Sequence, residues 1–171
     1  MRKDTKVISY TLTDERMTRR LGRCIGACMR AGDVVLLRGE MGAGKSVLTR
    51  AAARAMGVTG PVPSPTFTIL NIHEGSALRL YHFDLYRLES ADALYEMGLE
   101  EYIPADDGAS FIEWPEMAGE AMPQSALTVT LTYTEDGLAR CAQLTPGGAF
   151  DESRIAQILT HMEEDDEHPD D

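Results

Sequence analysis

Lysine is nearly missing from this 171-residue chain: of 16 basic residues 13 are arginine, and the three lysines are Lys3, Lys6 and Lys45. With so few, there is no Asn-Lys-x-Asp segment of the kind that reads guanine in GTPases. Cysteine is scarce and odd in number, at Cys24, Cys28 and Cys141. The first pair stands four apart on a helical pattern, so a disulfide framework is not expected. Zinc is not expected either, because His73, His82, His161 and His168 form no ligand spacing with the thiols. No window approaches the roughly 18 consecutive apolar residues of a membrane span, and Met1-Arg2-Lys3-Asp4 does not open a secretion signal. A cytoplasmic protein with no membrane partner is expected. The chain also has no basic stripe. Its formal net charge is -12, with seven acidic residues in the last nine positions, leaving -5 for the rest. An acidic body argues against tight autonomous binding to nucleic acid.

What is present is a 43% hydrophobic chain, enough for one domain over 1–162 followed by an acidic tail over 163–171. The tail reads as a disordered, solvated end; partner docking or autoinhibition is the other reading.

Gly39-Glu40-Met41-Gly42-Ala43-Gly44-Lys45-Ser46 satisfies the phosphate-loop pattern G-x-x-x-x-G-K-[ST]. It follows the apolar run Val34-Val35-Leu36-Leu37 and leads into an Ala-rich helix, Ser46 to Met56, stopped by Gly57. The spacing suits a nucleoside triphosphate: loop amides turn inward around a phosphate, Lys45 reaches the β and γ oxygens, and the Ser46 hydroxyl can ligate Mg²⁺. The helix that follows presents its positive end. Lys45 is the one lysine beyond the N-terminus, and a compact ammonium suits a point contact with phosphate better than a guanidinium fork.

Two further apolar strands end on carboxylates. Leu80-Tyr81-His82-Phe83-Asp84 places Asp84 where a metal-holding aspartate follows a strand, although Asp also ends strands for turn-making reasons. Ala109-Ser110-Phe111-Ile112-Glu113-Trp114-Pro115 places Glu113 and the single tryptophan at the carboxyl edge of a sheet, because Pro115 breaks the strand. Glu113 then either positions or deprotonates water, ligates Mg²⁺, or is a strand-terminal surface acid. Ser64-Pro65-Thr66 offers hydroxyls on a proline-stiffened loop, either as a plain turn or as a γ-phosphate sensor.

Around these lie a strand within Lys6 to Leu12 and a helix capped by Thr13. Met17, Leu21, Cys24, Ile25 and Cys28 face its core side, and Arg16, Arg19, Arg20, Arg23 and Arg30 the opposite side, read as a solvated face or as a basic cluster for an acidic partner. A hairpin is expected from Thr66 to His73 and Ala77 to Asp84, a short helix capped by Ser90, a second hairpin from Leu127 to Leu144 around Glu135-Asp136-Gly137, and a final helix from Asp151 to His161.

With Ser64-Pro65-Thr66-Phe67, His82-Phe83-Asp84-Leu85-Tyr86-Arg87, Ile112-Glu113-Trp114-Pro115, Thr18 to Gly22, Glu96-Met97-Gly98-Leu99 and Tyr102 in this order, the chain resembles the TsaE family of bacterial P-loop ATPases over some two thirds of its length. The departures are Glu40-Met41 where the family commonly has Asp-Leu, and Ser46 where it has Thr. Neither removes a needed group, since the first pair contributes mainly backbone and serine keeps the hydroxyl. The resemblance implies an α/β fold with a P-loop NTPase-like, mostly parallel central sheet, flanking helices and antiparallel hairpins. It also implies a weak ATPase that acts with the TsaD-TsaB heterodimer in making threonylcarbamoyladenosine at position 37 of tRNAs reading codons that begin with A, touching tRNA indirectly through that complex. Lys45 and the loop Gly39 to Ser46 would bind ATP, Ser46 with Asp84 or Glu113 would hold Mg²⁺, and Glu113 would organise water. Thr66 would be the switch residue, and the base would lie near Glu15 and the Glu135 to Gly137 turn.

Two other classes compete. A small-molecule P-loop kinase would want an arginine-rich lid, of which no segment is evident; Arg87 is read as a phosphate contact or a structural ion pair. An ATP-sensing regulatory module would bind nucleotide and scarcely hydrolyse it.

Overall fold

The computed structural model describes residues 6–164. Seven strands form one sheet in the order β1-β7-β6-β2-β5-β4-β3. They are β1 (Ile8–Leu12), β2 (Val34–Gly39), β3 (Leu70–His73), β4 (Arg79–Asp84), β5 (Gly108–Glu113), β6 (Leu127–Tyr133) and β7 (Arg140–Thr145). The helices are α1 (Glu15–Ala27), α2 (Lys45–Ala55), α3 (Ala91–Glu96) and α4 (Glu152–Glu164). β6, β2, β5 and β4 run parallel, and β1, β7 and β3 are antiparallel to their neighbours. β4 and β5 are apolar runs because both their faces are covered, whereas β6 alternates buried and half-exposed positions.

The sheet separates two cores. On one face Leu80, Phe111, Val35, Leu37, Val129 and Leu131 pack under α1, α2 and α4. On the other, Val34, Leu36, Phe83 and Ile112 meet Leu85, Leu88 and α3 through Leu94. α1 lies directly on α2, since an added Cβ at Gly22 would stand 2.3 Å from the Leu48 carbonyl oxygen and one at Gly26 2.4 Å from that of Ala52. Small residues thus seat the helix that carries the phosphate loop.

Three local expectations change. Asp14, not Thr13, caps α1: its extended backbone lets the carboxylate accept the Met17 N–H at 3.0 Å, while the Thr13 hydroxyl lies 3.2 Å from the Met17 sulfur. Arg20 does not belong to the solvated side of α1; it is buried and donates to the Met162 carbonyl on α4 at 2.5 Å. β3 begins at Leu70 rather than Thr66, because Ile69 takes φ +66° and a left-handed residue ends strand geometry. The Ile69 N–H turns back to the Pro65 carbonyl at 2.9 Å, and the Ile69 carbonyl accepts the Asp84 N–H at 2.9 Å. The loop before β3 is therefore fastened to the end of β4.

No described helix is long and apolar enough to cross a membrane. α4 runs through Glu164, into the segment read as the acidic tail, and 165–171 lie outside the described residues.

Candidate functional site

β2 is the middle strand of the sheet, flanked in parallel by β5 and β6, and its carboxyl end feeds the loop Gly39 to Gly44. Gly44 holds φ +109°, and an added Cβ would stand 3.2 Å from Thr18 Cγ2, so glycine is favoured where the loop turns into α2. α2 has no side-chain N-cap. Its first turn therefore presents backbone donors and the positive end of the helix dipole to whatever enters.

Lys45 is buried and donates to the carbonyls of Gly39 and, at 3.2 Å, Glu40. Its ammonium also stands 3.9 Å from the centroid of the Trp114 ring. Burial pushes the Lys45 pKa below the usual lysine value, opposed by Glu113, Glu116 and Asp84. Trp114 reaches across because its backbone is left-handed, φ +58°, a strained setting for a bulky residue, just before Pro115. Its ring rests on Tyr86, centroids 5.0 Å apart.

The two carboxylates meet the loop from neighbouring parallel strands, where Asp84 on β4 pairs in register with Glu113 on β5. The Ser46 hydroxyl donates to Glu113 Oε1 and Oε2 at 3.0 and 3.1 Å. Thr66 Oγ1 lies 3.5 Å from Asp84 Oδ2, and Asp84 Oδ1 accepts the Tyr86 N–H at 3.0 Å. Ser64 Oγ stands between Ser46 Oγ (3.4 Å) and Thr66 Oγ1 (3.5 Å). Glu113 is 3% exposed and is backed by His82, whose Nε2 is 2.7 Å from Oε2.

Lys45, Ser46, Ser64, Thr66, Asp84 and Glu113 line one cleft of about 400 Å³ together with Glu15, Met41, Gly42 and Arg140, and His82 lies behind its wall. A second hollow of about 350 Å³ adjoins it at Glu15 and Arg140, between the start of α1 and the β6–β7 turn. Gly137 lines that hollow and Glu135 does not. The rim is held by Tyr133 and Arg140, which both donate to the Gly42 carbonyl, at 3.0 and 3.2 Å. A cleft lined by an ammonium, hydroxyls and carboxylates and adjoined by a second hollow can take a polyphosphate with an attached planar group.

Among the described residues no three His, Cys, Asp or Glu side chains are grouped to hold a metal ion. The donors nearest the start of α2 are instead the Ser46 hydroxyl and the Asp84 and Glu113 carboxylates, all oxygen, the set that suits Mg²⁺ when phosphate oxygens and water complete the coordination. Arg87 stacks on the Phe67 ring, 4.4 Å away, and does not line the cleft.

Sequence reasoning placed Lys45, Ser46, Thr66, Asp84 and Glu113 in one site and Glu15 at its edge; the structure brings these six to one cleft. It gave no role to His82, although two residues before Asp84 on a strand means the same face. It could not find Tyr133 and Arg140, which reach the loop only because β6 pairs with β7 and β2.

The family model described as threonylcarbamoyl adenosine biosynthesis protein TsaE matches residues 12–142, from the end of β1 into β7. Three curated proteins named tRNA threonylcarbamoyladenosine biosynthesis protein TsaE are similar. One from Nostoc is 39% identical, with 79% of this chain and 83% of that protein covered. One from Bacillus subtilis is 34% identical, with 77% and 81% covered, and one from Treponema pallidum is 35% identical, with 70% and 87% covered. The crystal structure of Bacillus subtilis YdiB superposes with a TM-score of 0.79 at 28% identity, over 93% of this chain and 98% of that one.

Proposed function

The chain belongs to the TsaE family of tRNA threonylcarbamoyladenosine biosynthesis, a family of nucleotide-binding proteins, and from that premise we propose that it is a cytoplasmic Mg-ATP-hydrolysing component of that pathway. The observation that carries the proposal is the convergence of Ser46, Asp84 and Glu113 beside the phosphate loop, with Ser46 bonded to both Glu113 oxygens at 3.0 and 3.1 Å.

In this reading Lys45 leaves the Gly39 and Glu40 carbonyls for the β and γ oxygens, and the loop amides with the open end of α2 take the rest of the phosphate charge. Ser46 and Asp84, with Glu113 beside them, would hold Mg²⁺, which neutralises phosphate charge when bound. Glu113 orients a water molecule and accepts its proton. The water oxygen forms a bond to Pγ, the bridging P–O bond breaks with its electron pair leaving on ADP, and the proton returns to the released phosphate. Thr66 follows the γ-phosphate and passes its presence to Asp84 and the Pro65–Ile69 turn. The base occupies the hollow between Glu15 and the β6–β7 turn.

The TsaD-TsaB heterodimer is the proposed partner, with tRNA reached through that complex. Phosphate release from Mg-ATP, by the protein alone and with TsaD-TsaB and tRNA, tests this reading. Stimulation by the pair supports it. Glu113→Ala is expected to keep nucleotide binding and lose about a hundred-fold or more in release, the scale of a missing general base. Equal release from the variant would overturn the role of Glu113. Nucleotide binding without release under any condition would instead favour an ATP sensor, or a kinase whose phosphorylated product must then be sought.

A further inference from the structure

We propose that His82 is a positioning residue that fixes the Glu113 carboxylate for its work on water, an inference that rests on the ATPase reading above. His82 sits in the interior of β4, fully buried, on the face it shares with Leu80, and its register partner on β5 is Phe111. Both those neighbours belong to the apolar core under α1 and α2. An imidazole in such a layer costs more than a hydrocarbon of its size unless its N–H is bonded. Among the described residues its one hydrogen bond is to Glu113, Nε2 to Oε2 at 2.7 Å, and buried Nδ1 has no partner.

That asymmetry sets the tautomer. A buried N–H without an acceptor is penalised, so the proton belongs on Nε2, donated to the carboxylate, and Nδ1 stays bare against the apolar wall. His82 therefore has no second group to pass a proton to; it holds Glu113 and does not relay.

The hold is directional. Glu113 projects from the last position of β5, and Ser46 meets it from the loop helix at 3.0 and 3.1 Å. When Ser46 turns to a metal ion, His82 is the contact that remains behind the carboxylate. It keeps the side chain from rotating and leaves the other oxygen facing the cleft. A carboxylate fixed from behind by a buried donor loses less freedom on meeting water, which is how outer partners tune a reacting group.

The experiment uses the full chain in three forms: wild type, His82→Met, which fills the space without the donor, and His82→Gln, whose amide can donate from a similar distance. For His82→Met the expected result is a kcat for phosphate release about ten-fold or more below wild type, with affinity for a non-hydrolysable ATP analogue within about two-fold. His82→Gln should recover most of the lost kcat. Wild-type kcat in His82→Met, an affinity loss as large as the kcat loss, or no recovery in His82→Gln overturns the proposal. Imidazole ¹⁵N spectra of the unmodified protein supply a readout that needs no turnover. A proton on His82 Nε2 whose resonance moves in Glu113→Gln supports the contact, and a proton on Nδ1 overturns it. If wild type with TsaD-TsaB releases no phosphate, the ATPase reading fails by itself, and the spectra still decide whether His82 holds Glu113.

Discussion

Arg154 on α4 grips Asp33 at the entry to β2 with both prongs of its guanidinium, Nη1 to Oδ1 at 2.9 Å and Nη2 to Oδ2 at 2.6 Å. Both side chains are buried, Nη2 also donates to the Cys28 carbonyl at 2.9 Å, and Asp33 Oδ2 accepts the Arg30 N–H at 2.6 Å. The final helix, beyond the stretch matched by the family model, is thereby fastened to the connection that precedes the phosphate-loop strand. Removing one partner strands the other charge. Asp33→Ala should destabilise the fold by about 3–5 kcal/mol in urea titration, whereas Asp33→Leu with Arg154→Met should recover most of that loss. A cost for the single variant under about 1 kcal/mol, the scale of an exposed pair, would show that α4 is not held this way.

The seat of α2 on α1 gives a second expectation, opposite to helix propensity. Alanine is favoured over glycine inside a helix by about 1 kcal/mol. At Gly26, however, a Cβ would stand 2.4 Å from the Ala52 carbonyl oxygen and 2.7 Å from its Cα, both backbone atoms that cannot step aside. Gly26→Ala should therefore destabilise by about 1–3 kcal/mol and loosen nucleotide binding through α2. Gly60→Ala, with nothing within 4 Å of the added methyl, is the control and should stay near wild type. A Gly26→Ala protein as stable as the control would mean that the helices can part at little cost.

The cleft was legible to the extent that its groups sit in short contiguous patterns. The glycines and Lys45-Ser46 declare a phosphate loop, and Asp84 and Glu113 each close an apolar run, so parallel pairing carries both to one edge. The strands most easily read were those with continuous apolar runs or strong turn residues. What escaped depends on pairing distant in sequence or on backbone that propensity does not encode. Tyr133 and Arg140 reach Gly42 by way of β6 and β7. Ile69 at φ +66° turns an expected strand into a loop bonded to Asp84. Arg20 looked like part of a solvated arginine face, and only the packing of α4 across α1 buries it.

His73 supplies a pH dependence. Burial lowers its pKa below the usual histidine value, with the Arg54 charge adding to the shift, and its Nε2 is buried without a partner among the described residues. Between that lowered value and 6.5, the unfolded chain binds more protons at this site than the folded one, so stability rises with pH across the window and is lost as pH falls through it. Below the folded value both states are protonated and the loss stops growing. Melting temperatures of wild type and His73→Leu from about pH 7.5 to pH 5 isolate this contribution, because other titrating groups are common to both. The wild-type curve should fall more steeply than that of the variant on acidification. Parallel curves would remove His73 as a cause.

Trp114 is the single tryptophan in the chain, and the Lys45 ammonium lies 3.9 Å from its ring centroid. A cation at that distance perturbs the indole, so tryptophan emission should report where Lys45 is. If Lys45 moves to phosphate oxygens on binding, emission should change saturably as Mg-ATP is added, and the half-point gives the affinity directly. Lys45→Ala should alter the starting emission and cost about 2–5 kcal/mol of nucleotide binding, the range for truncating one partner of a buried, hydrogen-bonded charge pair. Lys45→Arg should not restore binding. The guanidinium is planar and wider than an ammonium, and the loop carbonyls of Gly39 and Glu40 with the Trp114 ring leave a seat for a compact head group. Undiminished affinity in Lys45→Ala, measured by calorimetry where the emission signal is lost, would detach Lys45 from the phosphates and with it the use assigned to the loop.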